Sequence, residues 1–167
     1  AHISDTWNGA RAKAAIAVNI ELLNANWETG RYIVEFEQKG NAKAKYGERL
    51  LPNLSKDLTR LRGKGFSRSA LHYMRKFYLA FPICETVSHK LSWSHYLELL
   101  KCSDELEMQF YLKTSIAENW SVRELKRQIS SALFQRLAIS KDKESVLALA
   151  EKGQQMSSPT DILRDPY

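Results

Sequence analysis

Cysteine, glycine and proline are scarce in this chain, at 2, 7 and 4 of 167 residues. Two cysteines, Cys84 and Cys102, cannot build a disulfide scaffold, and their scarcity fits a reducing, cytoplasmic setting. Few glycines and prolines leave few breaks, so long helices are expected rather than strands joined by tight turns. The one Asn-Gly pair, Asn8-Gly9, joins no two alternating runs. No uncharged apolar run approaches the roughly 20 residues of a membrane span, so no membrane partner is expected. Ala1 to Gly9 lacks the basic start and apolar core of a secretory signal.

Catalytic chemistry is equally thin. The nearest approach to a metal set is Cys84, His89, His95 and Cys102, with four, five and six residues between neighbours. No zinc pattern has that spacing. His95 reads as a packed, hydrogen-bonded residue rather than a general base. Gly63 and Gly65 follow a helical pattern, not the strand that a phosphate-binding loop demands. Glu37-Gln38-Lys39 and Glu124-Leu125-Lys126 have an acidic-x-Lys spacing, but both lie in helical patterns instead of beside a strand with further carboxylates. No catalytic residue, metal ligand or cofactor is expected within these 167 residues.

What the chain does have is positive charge in one place. The formal net charge is +6. From Lys39 to Lys76 eleven basic residues face only Glu48 and Asp57, a net +9 that leaves −3 for the remainder. A basic segment in a near-neutral chain is the electrostatic footprint of a phosphate-binding surface, although solvated helix faces also carry such runs.

The periodicity is helical from end to end, which predicts an all-α domain over residues 1–153 and a polar, proline-containing linker over 154–167. The first helix is expected from Ala10 to Gln38. It carries one stripe of Ala15, Val18, Leu22, Ala25, Thr29, Tyr32 and Phe36, and beside it a second of Ile16, Ile20, Leu23, Trp27 and Val34. Two stripes make a wide apolar face, to be buried along its own body or against a second chain as a homodimer. The next helix is expected over Ala42 to Leu61, with a kink at Pro52 or a late start near Leu51. The turn Arg62-Gly63-Lys64-Gly65-Phe66 follows, and Ser67 is placed to cap a third helix that Pro82 ends. Leu71, Met74, Tyr78 and Phe81 are its predicted inner face. Further helices are expected over 93–102 with Ser92 as cap, 104–118 with Ser103 as cap, 122–137 opened by a Ser121/Glu124 capping box, and 140–150.

Helix, glycine turn and a capped helix with a basic outer face is the layout of a helix-turn-helix. Its second helix can enter the major groove with its first residues nearest the bases. The candidate nucleic-acid-binding residues are therefore Arg62, Lys64, Ser67, Arg68, Ser69, His72, Arg75 and Lys76. Arg68 suits a bidentate contact to guanine, and Lys64, Arg75 and Lys76 suit phosphates. The turn Asn119-Trp120 before the helix that starts at Val122 makes a second candidate surface of Arg123, Lys126 and Arg127. A helix in a groove favours double-stranded DNA over RNA, whose major groove is too narrow to read.

Several runs carry a resemblance. They are Gly30-Arg31-Tyr32-Ile33-Val34-Glu35, Gly65-Phe66-Ser67, Met74-Arg75-Lys76-Phe77-Tyr78, Trp93-Ser94-His95-Tyr96, Trp120-Ser121-Val122-Arg123-Glu124-Leu125 and Arg127-Gln128-Ile129, in this order. Together they resemble the N-terminal domain of the YhcG-like PD-(D/E)XK nuclease family of bacteria. The resemblance implies a helical DNA-binding domain that targets a nuclease domain lying beyond Asp165-Pro166-Tyr167. Divalent metal and catalysis would then belong to that further domain, and this chain itself would not be an enzyme. Ala70 departs from the polar residue common in relatives, so no base contact is expected from it. The competing expectation is a protein-interaction or dimerisation module of the same nuclease.

Overall fold

The computed structural model of the chain describes residues 2–38, 44–84, 87–139 and 148. Among the described residues there are seven helices and no strand. The chain packs as two compact units, Ala1–Trp93 and Ser94–Tyr167. The helix expected over 140–150 lies almost wholly outside the described residues, and the 154–167 linker lies entirely outside them.

The first unit is built on α1, His2–Gln38. This helix starts eight residues earlier than the sequence predicts, at His2 instead of Ala10, and runs through Asn8-Gly9. Open space surrounds Gly9, so no packing forces a break there, and a helical glycine costs only about 1 kcal/mol relative to alanine. Burial begins halfway along: Leu23, Asn26, Trp27, Gly30, Ile33 and Val34 face the body of the unit. Asn19 Nδ2 donates to the backbone oxygens of Leu91 (3.0 Å) and His89 (3.2 Å), which ties the irregular segment before Trp93 to α1.

The second helix, α2 (Ala44–Arg62), passes through Pro52 rather than starting late near Leu51. The proline removes one bond of the helix, the one to the carbonyl of residue 48, without ending it. Gly63 and Gly65 then take φ of +85° and +114°, a region that excludes most side chains, and reverse the chain. The third helix, α3 (Arg68–Ala80), starts where the sequence predicts. Ser67 Oγ accepts from the Ala70 amide at 3.1 Å, which satisfies one of the orphan donors of the first turn. Its buried residues are Leu71, Met74 and Phe77, and Phe81 is buried just past its end. Tyr78, predicted as inner, is only half-buried. Its ring meets Trp27 edge-on at 5.1 Å, while Phe77 takes the core position against Phe81 and Trp93.

The helices α1 and α3 cross at Gly30. A methyl group there would overlap the Met74 carbonyl oxygen and lie 2.8 Å from its carbonyl carbon. Near the crossing, Trp27 Nε1 donates to the Phe81 carbonyl at 2.6 Å in a buried setting. Around Ile33, Leu71 and Met74 pack Leu51, Leu54, Leu58, Phe66 and Ala70, so α2 closes over the same core.

The second unit holds α4 (Trp93–Leu99, whose first residue belongs to the first unit), α5 (Glu105–Ala117), α6 (Val122–Ser130) and α7 (Leu133–Ile139). The cap of α5 is Asp104, not the predicted Ser103. Asp104 accepts from the Glu107 amide at 3.3 Å, and its carboxylate also suits the positive end of the helix. Ser121 caps α6 as predicted, but Glu124 turns to Arg127 and Gln128 instead of completing the capping box. The single helix expected over 122–137 is broken at Ser131-Ala132, where Ala132 has φ of +52°. Tyr111 bridges the break: its hydroxyl donates to the Gln128 carbonyl and accepts from the Phe134 amide, both at 3.2 Å.

Gly30→Ala should destabilise by about 1–3 kcal/mol or more, because backbone rather than a flexible side chain opposes the added methyl. Urea denaturation checks this, and a wild-type midpoint would refute the close crossing. Tyr111→Phe should cost about 1–3 kcal/mol by taking the acceptor from the buried Phe134 amide, while the Gln128 carbonyl keeps the Ser131 hydroxyl as donor; the same denaturation measures it.

Candidate nucleic-acid interface

The α2–turn–α3 hairpin collects most of the predicted binding residues. Arg62 ends α2, Lys64 sits in the turn, and Arg68, Ser69 and His72 open α3; all five are exposed. Ser67 is exposed too, with its hydroxyl oxygen committed to the cap. Arg68, Ser69, His72, Tyr73 and Lys76 line an open groove of about 490 Å³ with Leu51 of α2. The His72 ring meets Tyr73 edge-on at 6.1 Å.

Arg75 differs from expectation. It is half-buried, and its Nε donates to Glu37 Oε2 of α1 at 2.8 Å. One α3 cation is thus turned back onto the scaffold. A pair this exposed contributes on the order of 0–1 kcal/mol, so it orients Arg75 more than it stabilises the unit. Lys76 is half-buried as well.

Two features escaped the sequence reading. Tyr73 lies in the groove, where an aromatic ring offers a contact surface that the charge count ignores. Lys56 and Arg60 are exposed on α2 and line a neighbouring open groove of about 520 Å³ with Asn53 and Asp57. Their four-residue spacing places both on one helix face, a pattern that the sequence carries. The basic surface therefore extends from α3 across the turn and along α2.

The second surface is less free. Arg123 and Lys126 are exposed on α6, but Arg127 is held by Glu124 at 2.7 and 3.1 Å. That bond holds the Glu124 carboxyl below its ordinary pKa and raises that of Arg127. The stabilisation is present at neutral pH and fades as the pH falls through the lowered Glu124 value.

Among the described residues, no three His, Cys, Asp or Glu side chains converge as a metal site. No described helix is long and apolar enough to cross a membrane. His95 is half-buried and its Nε2 lies 3.0 Å from the Trp120 carbonyl, the packed and bonded role predicted for it. Burial, and next the charge of Glu107, push the Cys102 thiol up to about 12. It should therefore react with iodoacetamide at pH 8 about a hundredfold or more slowly than an unfolded cysteine. Mass spectrometry of the labelled protein checks this, and fast labelling of the folded chain would contradict it.

An all-helical domain with a basic helical hairpin is the class that this geometry defines. The chain belongs to the DUF1016 N-terminal domain family, which it matches over residues 2–136. It is also 33% identical over 198 aligned positions to the protein named "Putative nuclease YhcG" of Escherichia coli (strain K12). That alignment covers 99% of this chain and 52% of the relative, so the chain spans about half the relative's length. No solved structure matches it.

Proposed function

We propose that this chain is a DNA-binding domain that directs a nuclease to duplex DNA, with α3 as the helix presented to the major groove. The observation that carries the reading is the grouping of Arg62, Lys64, Arg68, Ser69 and His72, all exposed, around the capped start of α3. Arg68 and Ser69 occupy the first turn, the part of such a helix that reads base edges. Lys64 in the turn, with Lys56 and Arg60 on α2, suits the flanking phosphates, which supply affinity and position without sequence choice. Arg75 serves this face indirectly, as a tie between α3 and Glu37. The name of the relative supports a nuclease context. In this reading the bond-breaking chemistry and its metal belong to the other half of the parent protein.

Arg62→Glu with Arg68→Glu tests the assignment, because both side chains are exposed and neither substitution disturbs the core. Fluorescence anisotropy with labelled duplex should show at least a tenfold loss of affinity, and a shallower slope of log K against log salt by about one to two. Unchanged affinity in a folded double variant would refute the site. A companion double variant, Arg123→Glu with Lys126→Glu on α6, should bind nearly as the wild type does. A greater loss there than at α3 would move the interface to the second unit.

A further inference from the structure

The helix α1 is apolar on two sides, and its own body covers only one. Leu23, Trp27, Ile33 and Val34 are buried. On the other side Ile3 (78% exposed), Trp7 (64%), Val18 (67%), Leu22 (47%), Tyr32 (63%) and Phe36 (44%) face solvent. Exposed Ala10, Ala14 and Ala25 and half-buried Thr29 fill the gaps between them. Successive members of this stripe are three or four residues apart, with a mean step of about 3.7, so the stripe runs straight along the helix instead of winding around it. It is roughly 50 Å long at 1.5 Å per residue. Residues 2–18 are exposed on every side. An isolated helical segment of that length is marginal in water, so a partner is needed to hold it. At its other end the stripe borders an apolar groove of about 440 Å³, lined by Thr29, Tyr32 and Phe36 of α1 and Leu50, Leu54 and Leu58 of α2.

We propose that a second copy of this chain covers the stripe, with the two α1 helices antiparallel and a twofold axis near Asn19-Ile20. The two halves of α1 are complementary in that arrangement and in no parallel one. Residues 2–19 carry Arg11 and Lys13 against Asp5, a net +1. Residues 20–38 carry Glu21, Glu28, Glu35 and Glu37 against Arg31, a net −3. Parallel pairing would set one acidic half against the other; antiparallel pairing sets each acidic half against a basic one. Size matches as well. The twofold places Ile3 opposite Phe36, Trp7 opposite Tyr32, Ala10 opposite Thr29 and Ala14 opposite Ala25. Large side chains meet at the two ends, small ones meet next to them, and Val18 and Leu22 stand beside the axis. Each copy lends its unsupported half to the apolar groove of the other, which closes the assembly at two chains. The dimer stands independently of DNA binding, since the stripe contains none of the residues assigned to DNA.

Sedimentation of the full 167-residue chain, with cysteine cross-linking, tests this. The chain should be dimeric at about 100 μM, a concentration that captures even micromolar association. Val18→Glu with Leu22→Glu, two exposed positions beside the axis, should weaken the dimer at least tenfold while circular dichroism still reports a folded chain. In a Cys84→Ala, Cys102→Ala background, a mixture of Trp7→Cys and Tyr32→Cys chains should form a disulfide-linked pair, and Trp7→Cys chains alone should not. A monomer at that concentration, a dimer indifferent to the Val18/Leu22 change, or a cross-link between two Trp7→Cys chains would each overturn the proposal.

Discussion

At position 30 the α1 backbone comes so close to the Met74 carbonyl of α3 that no side chain fits between them. The rest of the first unit is arranged around that contact. The crossing brings Ile33, Leu71 and Met74 into one cluster and leaves Leu51, Leu54, Leu58 and Phe66 to close over it. It also brings the Trp27 indole to the Phe81 carbonyl, where α3 ends. Burying a side chain such as Leu71 or Phe77 is worth about 1.5–3 kcal/mol each, against at most about 1 for an exposed ion pair. Packing at the crossing therefore sets the position of α3, and the Arg75–Glu37 pair only trims it. With its inner side fixed in this way, α3 turns Arg68, Ser69 and His72 to solvent.

Local signals were legible in the sequence, and long-range ones were not. The bounds of α3 follow from Ser67 and Pro82, and both act within a turn of where they stand. The basic outer face follows from helical periodicity, and at Arg68, Ser69 and His72 it is exposed as expected. Nothing local announces that Arg75 will find a glutamate 38 residues away. Gly30 looks like an ordinary weak point in a helix until the carbonyl of Met74 is placed against it. The break between α6 and α7 was hidden because Ala132 adopts a left-handed conformation that alanine disfavours, and the bonds that support it, from Tyr111 and from the Ser131 hydroxyl to Gln128, appear only in the structure. The predicted cap, Ser103, lies one residue before the observed cap, Asp104, whose charge suits the helix start.

The two apolar stripes of α1 left open whether it packs within one chain or between two. In the structure Leu23, Trp27 and Val34 of one stripe are buried while its Ile16 is exposed, and most of the other stripe faces solvent, so the helix is both the scaffold of the first unit and an uncovered edge. A targeting domain that pairs through its scaffold would present two basic hairpins in one assembly. Two linked modules bind more tightly than either alone when their spacing matches the target. The chain spans about half of its relative's length, and the proposed function leaves the bond-breaking chemistry to the remainder.

Hydrogen exchange of the whole chain, free and saturated with duplex DNA, tests most directly whether the face held out by the α1–α3 crossing is the one that meets DNA. The account predicts slower exchange on binding for amides of residues 62–76, from the end of α2 through the turn and the exposed first half of α3, with residues 122–130 unchanged. Protection confined to 122–130, or none at saturating DNA, would contradict it.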